Sequence, residues 1–138
     1  MRFAPFALAI ALLVSAPAWA QDITGSARVI DGDTIDISGQ RIRIHGIDAP
    51  ESKQWCRIGM AEIECGKEAT RAMRSHIAGN PVNCQERDVD RYRRVVAVCF
   101  NAEGRDVGAE LVREGWALAY RRFSLEYVAE EREAKASK

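Results

Sequence analysis

Apolar and polar side chains alternate in short runs from Ile23 to Ile47, and this period of two predicts extended structure at Ala27–Ile30, Thr34–Ser38 and Ile42–Ile47, with Gly39-Gln40 as a connection. Three consecutive antiparallel strands follow. Pro50 closes the section, and Glu51 to Glu64 reads as a loop. The period then changes. Between Gly66 and Ile77 the residues Ala69, Met73 and Ile77 recur at helical spacing, with Lys67, Glu68, Arg71 and Arg74 on the other face, and Gly79-Asn80-Pro81 ends the helix.

Val82–Cys84 and Val95–Cys99 are again strand-like and flank the polar stretch Asp88–Arg93, the pattern of a hairpin. Gly104 marks a turn. Asp106 is placed to N-cap a helix through Leu111 and Val112 that stops at Gly115, and a third helix is expected from Ser124, carrying Tyr127 and Val128 before becoming polar. Five strands with about three interspersed helices predict a mainly β chain with α (α+β), built as a small five-stranded Greek-key barrel of the OB type.

With 138 residues, 47% hydrophobic and 29% charged, the composition is that of one soluble globular domain and excludes a disordered or fibrous chain. Residues 1–20 stand apart: Arg2, an apolar run from Phe6 to Val14, then Ala18-Trp19-Ala20, the pattern of a secretory signal peptide cleaved before Gln21. A membrane anchor is the rival reading, but the run is shorter than the roughly 20 residues a bilayer needs. Cleavage leaves residues 21–138 as the domain, exported to the periplasm or the medium without stable membrane association and expected as a monomer. It removes one of the 20 basic side chains and none of the 20 acidic ones. Near-neutrality argues against a histone-like polycation, so any nucleic-acid binding must come from a local patch.

Cys56, Cys65, Cys84 and Cys99 all lie in the exported part, where an even count reads as disulfides. A symmetric hairpin sets Cys84 opposite Cys99, which leaves Cys56 and Cys65 as a local clip. Zinc is the competing use of four cysteines. No two cysteines have the short spacing of a zinc site, neither His45 nor His76 sits beside one, and there is no Cys-x-x-Cys for redox chemistry.

Asp31-Gly32-Asp33-Thr34 reads first as a turn, yet Asp33 shares the strand parity of Ile35 and Ile37 and aims a carboxylate at the apolar side. An unpaired charge there is expensive, and a bound cation is one way to offset it. Arg43 alternates with Ile42 and Ile44 and so emerges on the opposite face, while Asp48 and Glu51 lie at the strand's exit. Asp90-Arg91-Tyr92-Arg93-Arg94 forms the basic end of the hairpin. Each cluster alone has a bland reading as a turn or solvated loop. Together they supply carboxylates for a hard cation, guanidiniums for phosphate and a further carboxylate as a base, the set that phosphodiester hydrolysis requires.

Val29–Ile35, Arg41–Glu51, Asp90–Val95 and Leu111–Ala117, in that order, resemble the motifs of the staphylococcal nuclease (thermonuclease) family across nearly the whole exported part. The resemblance implies an OB-type barrel and calcium-dependent hydrolysis of DNA and RNA. By position, Asp33 and Asp48 resemble direct calcium ligands, the Ala49 carbonyl a third, and Asp31 an outer-shell partner. Glu51 resembles the carboxylate that acts on the attacking water, and Arg43 and Arg94 the guanidiniums that hold the phosphate. Tyr92 matches a phosphate-side tyrosine. Tyr120 matches a tyrosine near the base, with spacing after Gly115 differing by one. Arg93 stands where the family commonly has glycine. The alternative is a noncatalytic nucleic-acid or protein-binding module on the same barrel.

Overall fold

The computed structural model describes Met1 and residues 21–137; the expected signal peptide lies outside the described residues. Among these, the elements run β1 (Asp22–Val29), β2 (Thr34–Ile37), β3 (Gln40–Ile44), β4 (Ile47–Asp48), β5 (Cys56–Ile58), β6 (Ala61–Ile63), α1 (Cys65–Ile77), β7 (Pro81–Val89), β8 (Val95–Phe100), α2 (Val107–Arg113), β9 (Leu118–Ala119) and α3 (Val128–Ala136). Five strands close into a barrel in the order β1-β2-β3-β8-β7, with β7 pairing back onto β1. The α+β, OB-type architecture expected from the periodicity is the one found.

Alternation drives the closure. Ile35, Ile37, Ile42 and Ile44 point inward and are 0–3% exposed, joined by Val82, Cys84, Val95, Ala97 and Cys99 from the hairpin. Helix α1 covers the interior with the predicted stripe of Ala69, Met73 and Ile77, all buried. Leu111 and Val112 of α2 contribute from the other side. The Asp106 carboxylate accepts the Ala109 N–H at 3.1 Å and the buried Tyr127 hydroxyl at 2.8 Å, so one side chain caps α2 and ties it to the start of α3. Burial and then the Asp106 charge push the Tyr127 phenol well above its ordinary value, which keeps it a donor.

The disulfides are Cys84–Cys99, cross-strand partners in the β7–β8 register, and Cys56–Cys65. Three expectations need correction. The stretch read as a loop contains the β5–β6 hairpin, whose almost wholly exposed residues carry no inside-outside alternation to mark it. The third strand stops at Ile44, because Gly46 turns the chain at φ 72°, and it resumes as β4, paired with the unforeseen β9. Helix α3 begins at Val128 rather than Ser124; Tyr127 is its N-cap. Among the described residues no helix is long and apolar enough to cross a membrane.

Candidate active site

Two glycines let three separate segments meet. A Cβ on Gly32 would lie 2.8 Å from the Cβ atoms of both Ala49 and Ala69, so the β1–β2 turn packs directly on the chain after β4 and on α1. A Cβ on Gly66 would fall 1.8 Å from the Glu51 carbonyl oxygen, so the first turn of α1 lies against that backbone. Side chains at either position would drive the segments apart. Gln54 completes the joint: its N–H donates to the Glu51 carbonyl at 2.8 Å, its side-chain oxygen accepts the Glu51 N–H at 3.1 Å, and its carbonyl accepts the Gly66 N–H at 3.1 Å.

Asp33 sits in this junction, 8% exposed. Its cost of burial is offset from within the chain. Arg43 Nη1 lies 2.8 Å from Oδ2, the Ala49 N–H donates to the same oxygen at 3.1 Å, and the Thr34 hydroxyl donates to Oδ1 at 3.0 Å. Asp31 accepts the Asp33 N–H at 3.1 Å. Burial, then the Asp33 charge and more weakly that of Glu51, push the Asp31 carboxyl up to about 6, while the Asp33 N–H works against them. Asp31, Asp33 and Glu51 therefore share one field. Asp48, exposed, joins through Arg43 Nη2 at 3.8 Å. Asp31, Asp33 and Asp48 bring carboxylate oxygens, the donor type that hard cations take, to the neighbourhood of Arg43, but among the described residues their ligand atoms do not form a group within 4.8 Å of one another.

Arg43 faces out of the barrel, as its parity predicts. Its Nη2 donates to the Ile47 carbonyl at 3.1 Å, and its guanidinium carbon lies 5.7 Å from the centre of the Tyr120 ring. The Tyr120 N–H donates to the Gly46 carbonyl at 2.8 Å, which continues the β4–β9 pairing and fixes the tyrosine beside the arginine. Arg43 is the register partner of Val96 on β8; Arg94, two residues earlier, emerges on the same outer face.

Arg94 is aimed by Asp90. That carboxylate accepts the Tyr92 and Arg94 N–H groups at 2.9 Å each and pairs with Arg94 Nε at 2.8 Å. Burial opposes the charge, but the hydrogen bonds from Arg94 and Tyr92 together outweigh it and hold the Asp90 carboxyl below its usual range. Arg93 closes the turn at φ 61°, the left-handed region that glycine adopts freely, so the turn that aims Arg94 is kept despite the side chain. The Tyr92 ring lies 5.5 Å from the Arg94 guanidinium carbon.

Arg43, Tyr92 and Tyr120 line a single cleft of about 590 Å³. Arg94 and Glu51 are not among the residues that line it; Arg94 reaches it through the Tyr92 ring. The four cysteines brace the scaffold and take no place in the cleft. Sequence reading missed His45, Arg87, Arg122 and Phe123, which also line it. For His45 a signal existed, since it shares the parity of Arg43. Among the described residues the ligand-type atoms that do fall within 4.8 Å of one another are those of His76, Glu110 and Glu114, but Arg113 pairs with Glu110 and His76 bonds to Glu114 at 3.0 Å, an ion-paired tie between α1 and α2.

Residues 41–138 match the model of the family described as staphylococcal nuclease homologue. The chain is 41% identical over 113 residues to the succinoglycan biosynthesis protein ExoI of Rhizobium meliloti, covering 80% of this chain and 59% of that protein, somewhat under two thirds of its length. It is 37% identical to the protein ParB of Escherichia coli over 88% of this chain and 70% of that one. It is 33% identical to the micrococcal nuclease of Shigella flexneri over 85% of this chain and 69% of that enzyme. With its barrel, its two disulfides and the order of its motifs, the chain belongs to the staphylococcal nuclease family.

Proposed function

We propose that the protein is an exported nuclease that hydrolyses phosphodiester bonds of DNA and RNA with calcium as cofactor. One observation carries the reading: the buried Asp33 carboxylate, with Asp31 accepting its N–H, is joined through Arg43 to a cleft lined by arginines and tyrosines. Family membership and the name of the Shigella flexneri relative support it.

Asp33 and Asp48, with the Ala49 carbonyl, would hold calcium, and Asp31 would support them from outside. Bound calcium supplies a Lewis acid that draws charge from a phosphoryl oxygen. Glu51 takes a proton from the attacking water. Arg43 and Arg94, each beside a tyrosine ring, hold the phosphate and stabilise the charge that grows on its oxygens in the transition state. Tyr92 contacts the phosphate side and Tyr120 the base side of the bound nucleotide. Arg43→Gln or Arg94→Gln is expected to lower kcat by roughly two to three powers of ten, the effect of losing one preorganised donor.

The test is hydrolysis of single-stranded DNA and of RNA in millimolar calcium and in excess chelator. Cleavage of both, abolished by the chelator, is the expected result. Salt-dependent binding without cleavage, by protein with both disulfides intact, would instead assign the barrel to a noncatalytic binding module.

A further inference from the structure

Beyond Arg43, the cleft holds further basic side chains that the proposed reaction does not use, and two of them, His45 and Arg87, meet at one carboxylate. The His45 N–H donates to the Ala97 carbonyl at 2.8 Å, which extends the β3–β8 pairing and keeps His45 on the outer face with Arg43. Across the cleft, Glu86 pairs with Ala97 and Asp88 with the next residue, Val96, so Arg87 is the extra residue of a β-bulge. Bulges re-aim side chains, and Arg87 lines the same cleft as His45. One carboxylate now holds both: Glu126 Oε2 is 3.1 Å from His45 Nε2, and Oε1 is 3.9 Å from Arg87 Nη2.

Arg87 and Glu126 are 47% and 42% exposed, so this contact contributes little to stability. Its arrangement is that of an anion site. With His45 protonated, two cations from two strands converge on one oxyanion at the wall of a cleft that also presents Tyr92 and Phe123, 65% and 68% exposed. Exposed rings offer stacking faces that unpaired bases accept and stacked duplex bases do not.

We propose that His45 and Arg87 form a second phosphate subsite, which takes the phosphate of a neighbouring nucleotide in a single-stranded nucleic acid and displaces Glu126. The inference rests on the nuclease reading and adds to it a second phosphate contact, on strands longer than a dinucleotide. It makes Glu126 an internal competitor of the substrate rather than a structural tie.

The experiment is fluorescence anisotropy of the full chain with labelled oligothymidylates, a dinucleotide and an octamer, in chelator and at about pH 6, where an ordinary imidazole is largely protonated. The octamer is expected to bind more tightly. His45→Gln and Arg87→Gln each reduce that preference roughly fivefold, and Arg87→Gln lowers the slope of log affinity against log salt by about 0.7–1. Glu126→Gln strengthens octamer binding. An octamer preference unchanged in both cation variants, absent from the wild type, or weakened by Glu126→Gln overturns the subsite. Octamer hydrolysis in calcium is measured in parallel: hydrolysis without an octamer preference refutes the subsite alone, and the preference without hydrolysis refutes the nuclease reading alone.

Discussion

Arg43 Nη1 lies 2.8 Å from Asp33 Oδ2, and through this contact the outer face of the barrel is electrostatically joined to the loop that carries the acidic cluster. Both side chains are largely shielded, at 15% and 12% exposure, so neither can be removed without leaving a poorly solvated charge. Arg43→Gln is expected to destabilise the fold by about 1.5–3 kcal/mol in urea denaturation, the range for a hydrogen bond to a charged group. Arg43→Gln combined with Asp33→Asn should lose less than the two single losses added; strict additivity would show that the contact carries no coupling.

The turn at Asp90–Arg94 makes a separate prediction. Arg93 holds a φ of 61°, which costs an L-residue about 1–2 kcal/mol, while glycine there costs about 0.5–1 kcal/mol in unfolded-state freedom. Arg93→Gly should therefore raise stability by about 0.5–1 kcal/mol, and Arg93→Val, branched at Cβ, should lower it. A thermal scan that ranks valine above glycine at this position contradicts the strain argument.

Asp90 gives a dependence on pH. Its carboxyl titrates below its ordinary value in the fold, so its contribution is fully present above the unfolded value and is lost as pH falls through the folded one. The stability difference between wild type and Asp90→Asn should be largest near neutrality and shrink on acidification below about pH 4. A difference that stays constant down to about pH 2 would remove Asp90 from the acid limb. Because the same carboxylate fixes Arg94, Asp90→Asn should also reduce kcat/KM.

The two disulfides should separate stability from activity. Cys84–Cys99 closes a loop with a sequence separation of 15 between two fully buried side chains, and its replacement by alanines should cost about 3 kcal/mol. Cys56–Cys65, with a separation of 9, clips the exposed β5–β6 arm beside the Gln54 joint that positions Glu51. Its removal should lower kcat by a larger factor than its effect on the urea midpoint suggests. Equal effects of the two bridges on both measurements would contradict this division.

The barrel was legible because its strands are buried on one face: the parity of Ile42, Arg43 and Ile44 was enough to place one guanidinium outside and two isoleucines inside. The Cys84–Cys99 partnership followed from hairpin symmetry alone. Asp33 was read as buried, and it is. Its principal charge partner escaped the reading, since Arg43 approaches it from the neighbouring strand and no local pattern records that contact. Elements without a buried face were invisible, as with the β5–β6 hairpin. So was the Arg87 bulge, because one extra residue in a polar strand changes no hydrophobic period. The joint made by Gly32 and Gly66 depends on close backbone approach, which a sequence shows only as two glycines among ten.

In the proposed reaction Glu51 activates water for attack on a phosphodiester held by Arg43 and Arg94. Its most direct test is single-turnover cleavage of a single-stranded DNA substrate in calcium by wild type and Glu51→Gln, with nucleotide affinity measured on the same preparations. Cleavage is expected to fall by at least about two powers of ten while affinity changes little, since glutamine keeps the shape but not the basicity. Unchanged turnover in the variant would contradict the assignment of Glu51 as the base.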